Sequence, residues 1–235
     1  MNESNNNGGI VYVDAYDRDN GHVQAHTRSA PGNGSYKLGT LSAEFESKRD
    51  PRAIGYDSDG GYSYGSYQIS SNKETMRKYL EYMKNNPQYR QYAIELEKYG
   101  FHEAAKAGDF SFQDKWVELT KYEGFNESQH NFIVDSHYKP LINKVSNIYG
   151  LDLENRHPVI KDILFSMSVQ HRKAADIVKR ALGMDASLLT DEEMVNKLYE
   201  QRVTYVSGHS LENSLVNRYC QEKVKALEWL RGSQY

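Results

Sequence analysis

Apolar positions recur at spacings of three and four through most of the chain beyond Lys37, the mark of helices that each turn one face to a core. The pattern predicts a short helix over Thr40–Glu46, then helical segments from Lys73 to Tyr99, Phe112 to Tyr122, Ser128 to Tyr149, Pro158 to Leu182, Asp191 to Tyr205 and Ser210 to Leu230. Breaks are expected near Asn86-Pro87 and at Pro140, since proline has no amide to donate and crowds the preceding turn. In the Pro158 segment, Ile160, Ile163, Leu164, Met167, Ile177, Val178, Ala181 and Leu182 carry the spacing. Pro158 stands where a first turn tolerates proline, and Gly183 stands where a helix ends.

Two stretches depart from the helical period. Asp50–Ser70 is rich in Gly, Ser and Tyr; Tyr62 and Tyr64, then Tyr67 and Ile69, follow Gly60-Gly61 and predict a small β lobe. Nearer the start, two β-prone runs in IVYVDAYDRDNGHVQAHTRS flank Asn20-Gly21, a pair suited to a tight hairpin turn. Such a hairpin is marginal alone in water and needs a surface to lean on. The Asn-rich residues 1–9 are expected to be disordered, and Ala30–Ser35 reads as a linker. The expected organisation is therefore 1–9 disordered, 10–35 a β-hairpin module with its linker, and 36–235 a mainly α (α+β) domain with a β lobe after its first helix.

Composition narrows the function. No run reaches the roughly 18 apolar residues of a membrane-spanning helix, so membrane insertion is not expected. The opening MNESNNNGG has neither a basic nor an apolar stretch, so no signal peptide is expected and synthesis in the cytoplasm is. Cys220 is the single cysteine, consistent with a reducing compartment, and reads as a small, partly buried residue. A net charge of −3 argues against nucleic acid as a partner. It hides an uneven distribution: from Arg156 to Arg180 six basic residues face two acids, a solvated helical face or a patch for an anionic polymer. The 19 tyrosines, against 7 Phe and 2 Trp, are unusual. Four lie in the β lobe, where a ring with a hydroxyl suits a sugar; Tyr79, Tyr82, Tyr89, Tyr92 and Tyr99 read as packing a wet helical surface.

Candidate chemistry centres on carboxylates. Glu44 and Glu46 end the first helix, and Asp57 and Asp59 lie in the β lobe, eleven to thirteen residues beyond Glu46. One protonated acid and one ionised carboxylate across a cleft is what glycoside hydrolysis requires, the acid kept partly desolvated to hold its proton. A pair at this spacing also arises readily by chance among 32 acidic residues. GYDSDGGYSYGS lacks the Lys-Ser/Thr of a phosphate loop, and Gln68 stands where a calcium loop starting at Asp57 would need Glu. His130 and His137 are two helical turns apart without a cysteine cluster or HExxH, so they read as structural or cleft-lining, and no metal or cofactor is expected.

Leu41–Ser71 resembles the catalytic segment of a family of peptidoglycan hydrolases, distant relatives of lysozymes and chitosanases found in phage lysis and tail proteins and as C-terminal domains of type VI secretion spike proteins. The family's glutamate-serine pair matches Glu46-Ser47, and its Gly-Gly-x-Ser-Tyr-Gly-x-Tyr-Gln run matches Gly60–Gln68. A Ser-x-x-Val-Gln-His run is similar to Ser166, Val169, Gln170 and His171, and the likeness extends over about residues 38–230. Arg172 and Lys48 stand where relatives often carry Gly. The resemblance implies a lysozyme-like fold and cleavage of β-1,4 glycan strands, with bacterial peptidoglycan as partner. Glu46 would be the general acid, Asp57 or Asp59 the second carboxylate, Tyr62, Tyr64, Tyr67 and Gln68 the sugar-facing lining, and Gln170 and His171 the opposite wall. It leaves open a lytic transglycosylase that uses Glu46 alone, and a non-catalytic wall-binding or structural module of a virion or secretion apparatus. The chain would reach the wall after lysis, through a holin, or within a phage or secretion machine.

Overall fold

The computed structural model describes residues 10–13, 16–18, 21–23, 26–29, 38–43, 50–153, 155–183, 186–208 and 212–232. The expected disordered start, the linker and Glu46 itself lie outside the described residues. The chain separates into two compact units, Met1–Lys37 and Leu38–Gln234, with Tyr235 grouped with the first. In the first, β1 (Ile10–Val13) pairs antiparallel with β4 (His26–Ser29), and β2 (Tyr16–Arg18) with β3 (Gly21–Val23). Arg18 pairs with Gly21, so Gly21 lies in a strand and not in the turn expected at Asn20-Gly21.

The second unit begins with α1 (Thr40–Ala43) and a three-stranded antiparallel sheet of β5 (Ile54–Asp57), β6 (Gly61–Tyr64) and β7 (Ile69–Ser70). Helices follow: α2 (Glu74–Asn85), α3 (Arg90–Glu97), α4 (Phe101–Ala107), α5 (Phe110–Leu119), α6 (Glu123–Ile133), α7 (Lys139–Tyr149), α8 (Pro158–Gln170), α9 (Ala174–Leu182), α10 (Asp191–Val206) and α11 (Glu212–Leu230). Caps explain many boundaries. Thr190 and Glu193 form a reciprocal capping box at α10, Asp109 accepts from Phe112 N at α5, and the His157 ring accepts from Val159 N at α8. Gly183 closes α9 with a positive φ, as the sequence predicts. Helix α4 was not legible in the periodicity because it is only seven residues long, set between Gly100 and Gly108.

Pro140 does not break its segment. Between α6 and α7 the chain widens into one π-helical turn, Val134–Tyr138, and Pro140 falls in the first turn of α7 where its missing amide costs little. The Pro158 segment divides instead: His171 is extended, so α8 and α9 are separate helices.

Two hydrophobic clusters share α8. One holds Tyr64, Ile69, Met76, Tyr79, Trp116, Phe125 and Phe165; the other holds Leu41, Val145, Ile160, Leu164, Met167, Ile177, Leu198 and Tyr219. Helix α8 is apolar on nearly every side, as a helix buried between two lobes must be. Tyr79 and Tyr89 are fully buried and Tyr92 nearly so, which corrects the expected wet surface for these three. Two of these hydroxyls bond across helices: Tyr79 with Ser128 Oγ at 2.7 Å, and Tyr89 accepting from Asn131 Nδ2 at 2.6 Å. The tyrosine excess is thus largely a packing feature, rings in the core with hydroxyls at helix seams. Cys220 is exposed rather than partly buried.

Candidate active site

The β5–β6 turn carries the two lobe carboxylates. Asp57 Oδ1 accepts from the amides of Asp59 (2.9 Å) and Gly60 (2.6 Å), so its carboxylate folds back and clasps the turn. Ser70 Oγ donates to Gly60 O at 2.6 Å and ties the turn to β7. Both aspartates are exposed. Across the strands Tyr56 faces Tyr62 with ring centroids 5.1 Å apart, and Tyr56 is 70% exposed. Gly108 leaves room for the Tyr62 ring: a Cβ there would come within 2.2 Å of it.

The β6–β7 turn is built on close approach. Gly65 has φ +74, and a Cβ on it would lie 2.1 Å from Oε1 of the buried Gln129, which accepts from Ser66 N at 3.0 Å. Gln68, itself at φ 50, donates through Nε2 to Gly65 O (3.0 Å) and accepts from Ser63 Oγ (2.6 Å). Both ends of its amide are therefore spent inside the turn. The Tyr67 hydroxyl pairs with Nδ1 of His130 at 2.6 Å, and its ring packs edge-on against Phe165 of α8.

Tyr64 takes no part in this surface. It is fully buried against Phe112 and Trp116, its hydroxyl donates to Ala105 O at 2.9 Å, and burial pushes that hydroxyl's pKa up to about 12. A ring inside the core cannot touch a sugar, so the expectation for Tyr64 is corrected. Gln170 and His171 likewise turn toward a buried polar junction of α8, α10 and α11. Arg202 donates to Gln170 Oε1 (2.7 Å) and Ser166 Oγ (3.2 Å), pairs with Glu222 (3.3 Å), and lies 4.2 Å from the Tyr219 ring centre. His171 Nε2 meets the Tyr219 hydroxyl at 3.3 Å. Burial, then the charges of Arg202 and Arg218, depress His171 to about 3, so it is neutral near pH 7. His171 is buried, which corrects its expected place on the opposite wall, while the half-buried Gln170 spends its Oε1 on Arg202.

The described residues that flank the stretch 44–49 are held to the helices. Upstream, the fully buried Asp162 of α8 accepts from Gly39 N with Oδ1 and from Leu41 N with Oδ2 (2.7 Å). Downstream, the Trp116 indole donates to Pro51 O at 3.0 Å, and Arg52 pairs with Asp50 at 3.0 Å. Asp162, Gln129 and Arg202 were missed by sequence reasoning. The available signal was a short acidic side chain within a mostly apolar helical run, as in VIKDILFSM around Asp162.

A concavity of about 440 Å³ shares no residue with the acid turn and is lined by Asp152, Asn155, Arg156, Ser187 and Asp191, with Gly150. Arg156 is fully engaged there with Leu189 O, Ser187 O and Asp191, a structural role. Among the described residues, no group of three or more His, Cys, Asp or Glu is placed to hold a metal ion, and no helix is long and apolar enough to cross a membrane.

Comparison with known proteins fits this geometry. The family profile described as type VI secretion system spike protein VgrG3-like, C-terminal, matches residues 38–223. The chain belongs to that family. The type VI secretion system spike protein VgrG3 of Vibrio cholerae serotype O1 is 29% identical over 202 residues, 82% of this chain. The chain spans 19% of that relative's length. Among solved structures, the native chitosanase of Bacillus subtilis MY002 superposes with TM-score 0.57 at 18% identity, covering 80% of this chain and 86% of the chitosanase. The Gynuella sunshinyii GH46 chitosanase GsCsn46A, solved with chitotetraose, gives 0.52 at 11% identity, covering 81% and 84%. These likenesses establish the fold: mainly α, with the small sheet of lysozyme-like glycosidases.

Proposed function

We propose that the chain is a glycoside hydrolase that cuts the β-1,4 glycan strands of bacterial peptidoglycan, delivered as part of a type VI secretion spike. Glu46 is the general acid that protonates the leaving oxygen. Asp57 activates water or stabilises the oxocarbenium-like state, with Asp59 beside it as the alternate second carboxylate. Tyr62 and Tyr67 line the sugar path, and Gln68 shapes it by locking the β6–β7 turn. In this reading residues 10–35 are a small β-hairpin module with its linker, and 36–235 are the catalytic domain.

The observation that carries this reading is that the described residues on both sides of the stretch 44–49, which holds Glu46 and lies outside the described residues, are fixed to the helical body. A buried carboxylate holds the peptide before it, and the Trp116 indole holds the peptide after it. The position of a catalytic group matters steeply, because a misplacement of about 1 Å can cost roughly 100-fold in rate.

Product chemistry tests the reaction. Digestion of purified sacculi followed by mass analysis should yield fragments with new reducing ends. Anhydro-sugar ends would instead establish a lytic transglycosylase, and intact sacculi would leave a binding module. Family membership and the glycosidase fold support an enzyme over a binding module.

A further inference from the structure

Helix α9 turns Ala174, Ile177, Val178 and Leu182 into the core, so only its outer face meets solvent. That face and the turn before it expose Arg172, Lys173, Lys179 and Arg180, with Asp176 between them. Across nine residues of helix, about 14 Å, these charges lie within about two screening lengths at physiological salt. Elsewhere on the surface many cations are neutralised: Arg77 by Glu81, Lys115 by Glu118, Lys139 by Asp135. The four on α9 make no ion pair among the described residues.

Folding explains only half of them. Lys179 and Arg180 occupy the last turn, where a cation complements the negative end of the helix. Arg172 and Lys173 lie between the end of α8, which favours cations, and the start of α9, which disfavours them, so the two helix ends largely offset there. The chain as a whole carries −3, so the patch does not reflect general basicity. Because the apolar face of α9 is buried, the helix cannot enter a bilayer, and attraction at this face is electrostatic.

We propose that the outer face of α9 docks the carboxylates of peptidoglycan peptide stems and holds the chain on its polyanionic substrate. This rests on the wall-hydrolase reading above and refines its substrate: an anionic glycan is attracted, whereas a polycationic glycan is repelled.

The test is co-sedimentation of the full chain with purified Gram-negative sacculi, which carry stem carboxylates but no teichoic acid. A variant with Arg172, Lys173, Lys179 and Arg180 all changed to Gln should bind about ten- to a hundredfold more weakly at low salt, from four exposed pairings. The difference should vanish near 0.5 M salt, where screening is within about 4–5 Å. Sacculi whose carboxylates are amidated should bind the wild-type chain as weakly as native sacculi bind the variant. Superimposable circular dichroism melts establish that the variant is folded. Equal binding to native and amidated sacculi overturns the docking face, as does a preference for DNA over sacculi. Binding is read without turnover, so the two ideas fail separately. A chain that binds through carboxylates but cleaves nothing overturns the hydrolase reading alone, and one that cleaves but ignores amidation overturns the docking face alone.

Discussion

Replacing Asp162 with asparagine removes the charge that holds the start of α1. In the native chain both carboxylate oxygens accept main-chain amides, from Gly39 and Leu41, at a site with no solvent exposure. Asparagine keeps one acceptor and turns an NH2 toward the other amide, so one charge-assisted bond is lost and a buried donor is stranded. Bonds to charged groups are worth about 1.5–3 kcal/mol, and an unsatisfied buried donor costs about 1–3 kcal/mol more. Since the terms overlap, we expect about 2–4 kcal/mol of destabilisation. For a domain of this size that corresponds to a Tm lower by about 10 °C. Thermal unfolding followed by far-ultraviolet circular dichroism reads this directly. Wall cleavage, measured well below both melting temperatures, should fall further than folding explains, because Glu46 lies only three residues beyond α1. A D162N protein that melts within 1–2 °C of wild type and cleaves walls at the wild-type rate would refute the anchoring.

Three other outcomes follow from the geometry. His171 titrates at about 3 when folded, below the unfolded value near 6.5. Its neutral form therefore contributes stability above pH 6.5 that is lost as pH falls toward 3, at up to about 1.4 kcal/mol per pH unit. Urea unfolding of wild type and H171Q between pH 6.5 and 4.5 should show the steeper decline in wild type; parallel slopes would refute the burial of a neutral ring. Gly65→Ala should cost more than Gly150→Ala. Both glycines have positive φ, but a Cβ at residue 65 lands 2.1 Å from Gln129 Oε1, whereas at residue 150 it meets nothing within 4 Å. The left-handed strain is about 1–2 kcal/mol at each, and overpacking adds about 1–3 kcal/mol at Gly65 alone. Equal urea midpoints would contradict the close packing. Asp59→Asn should leave wall cleavage near the wild-type rate with little change in Tm, because the Asp59 side chain is exposed and Asp57 holds the turn; a large loss of cleavage in D59N would move the role of second carboxylate to Asp59.

Periodicity alone located most of the helices, since apolar spacing and caps such as Thr190-x-x-Glu193 are local features. Asn86-Pro87 marks the real break between α2 and α3. Pro140 misled because a π-helical turn upstream lets the chain adjust before the proline arrives. The acid turn was legible too, from Gly60-Gly61, of which Gly61 takes a positive φ. What stayed hidden depended on partners distant in sequence. Asp162 reaches residues 121 and 123 positions away, and Arg202 gathers Gln170 and Glu222 from two other helices. No local pattern distinguishes a half-buried Gln170 bonded to Arg202 from a substrate-facing one, and Tyr64 looked like Tyr62 until the fold laid it against Trp116.

The measurement closest to the central claim is the digestion of purified sacculi by wild type and by Glu46→Gln, with the fold of both checked by melting. Glutamine keeps the size of the side chain and removes the proton that the leaving oxygen requires. Release of soluble glycan by wild type, and a loss of at least about 100-fold in the variant at an unchanged Tm, is the result expected of a general acid. Cleavage by the variant at the wild-type rate would contradict it.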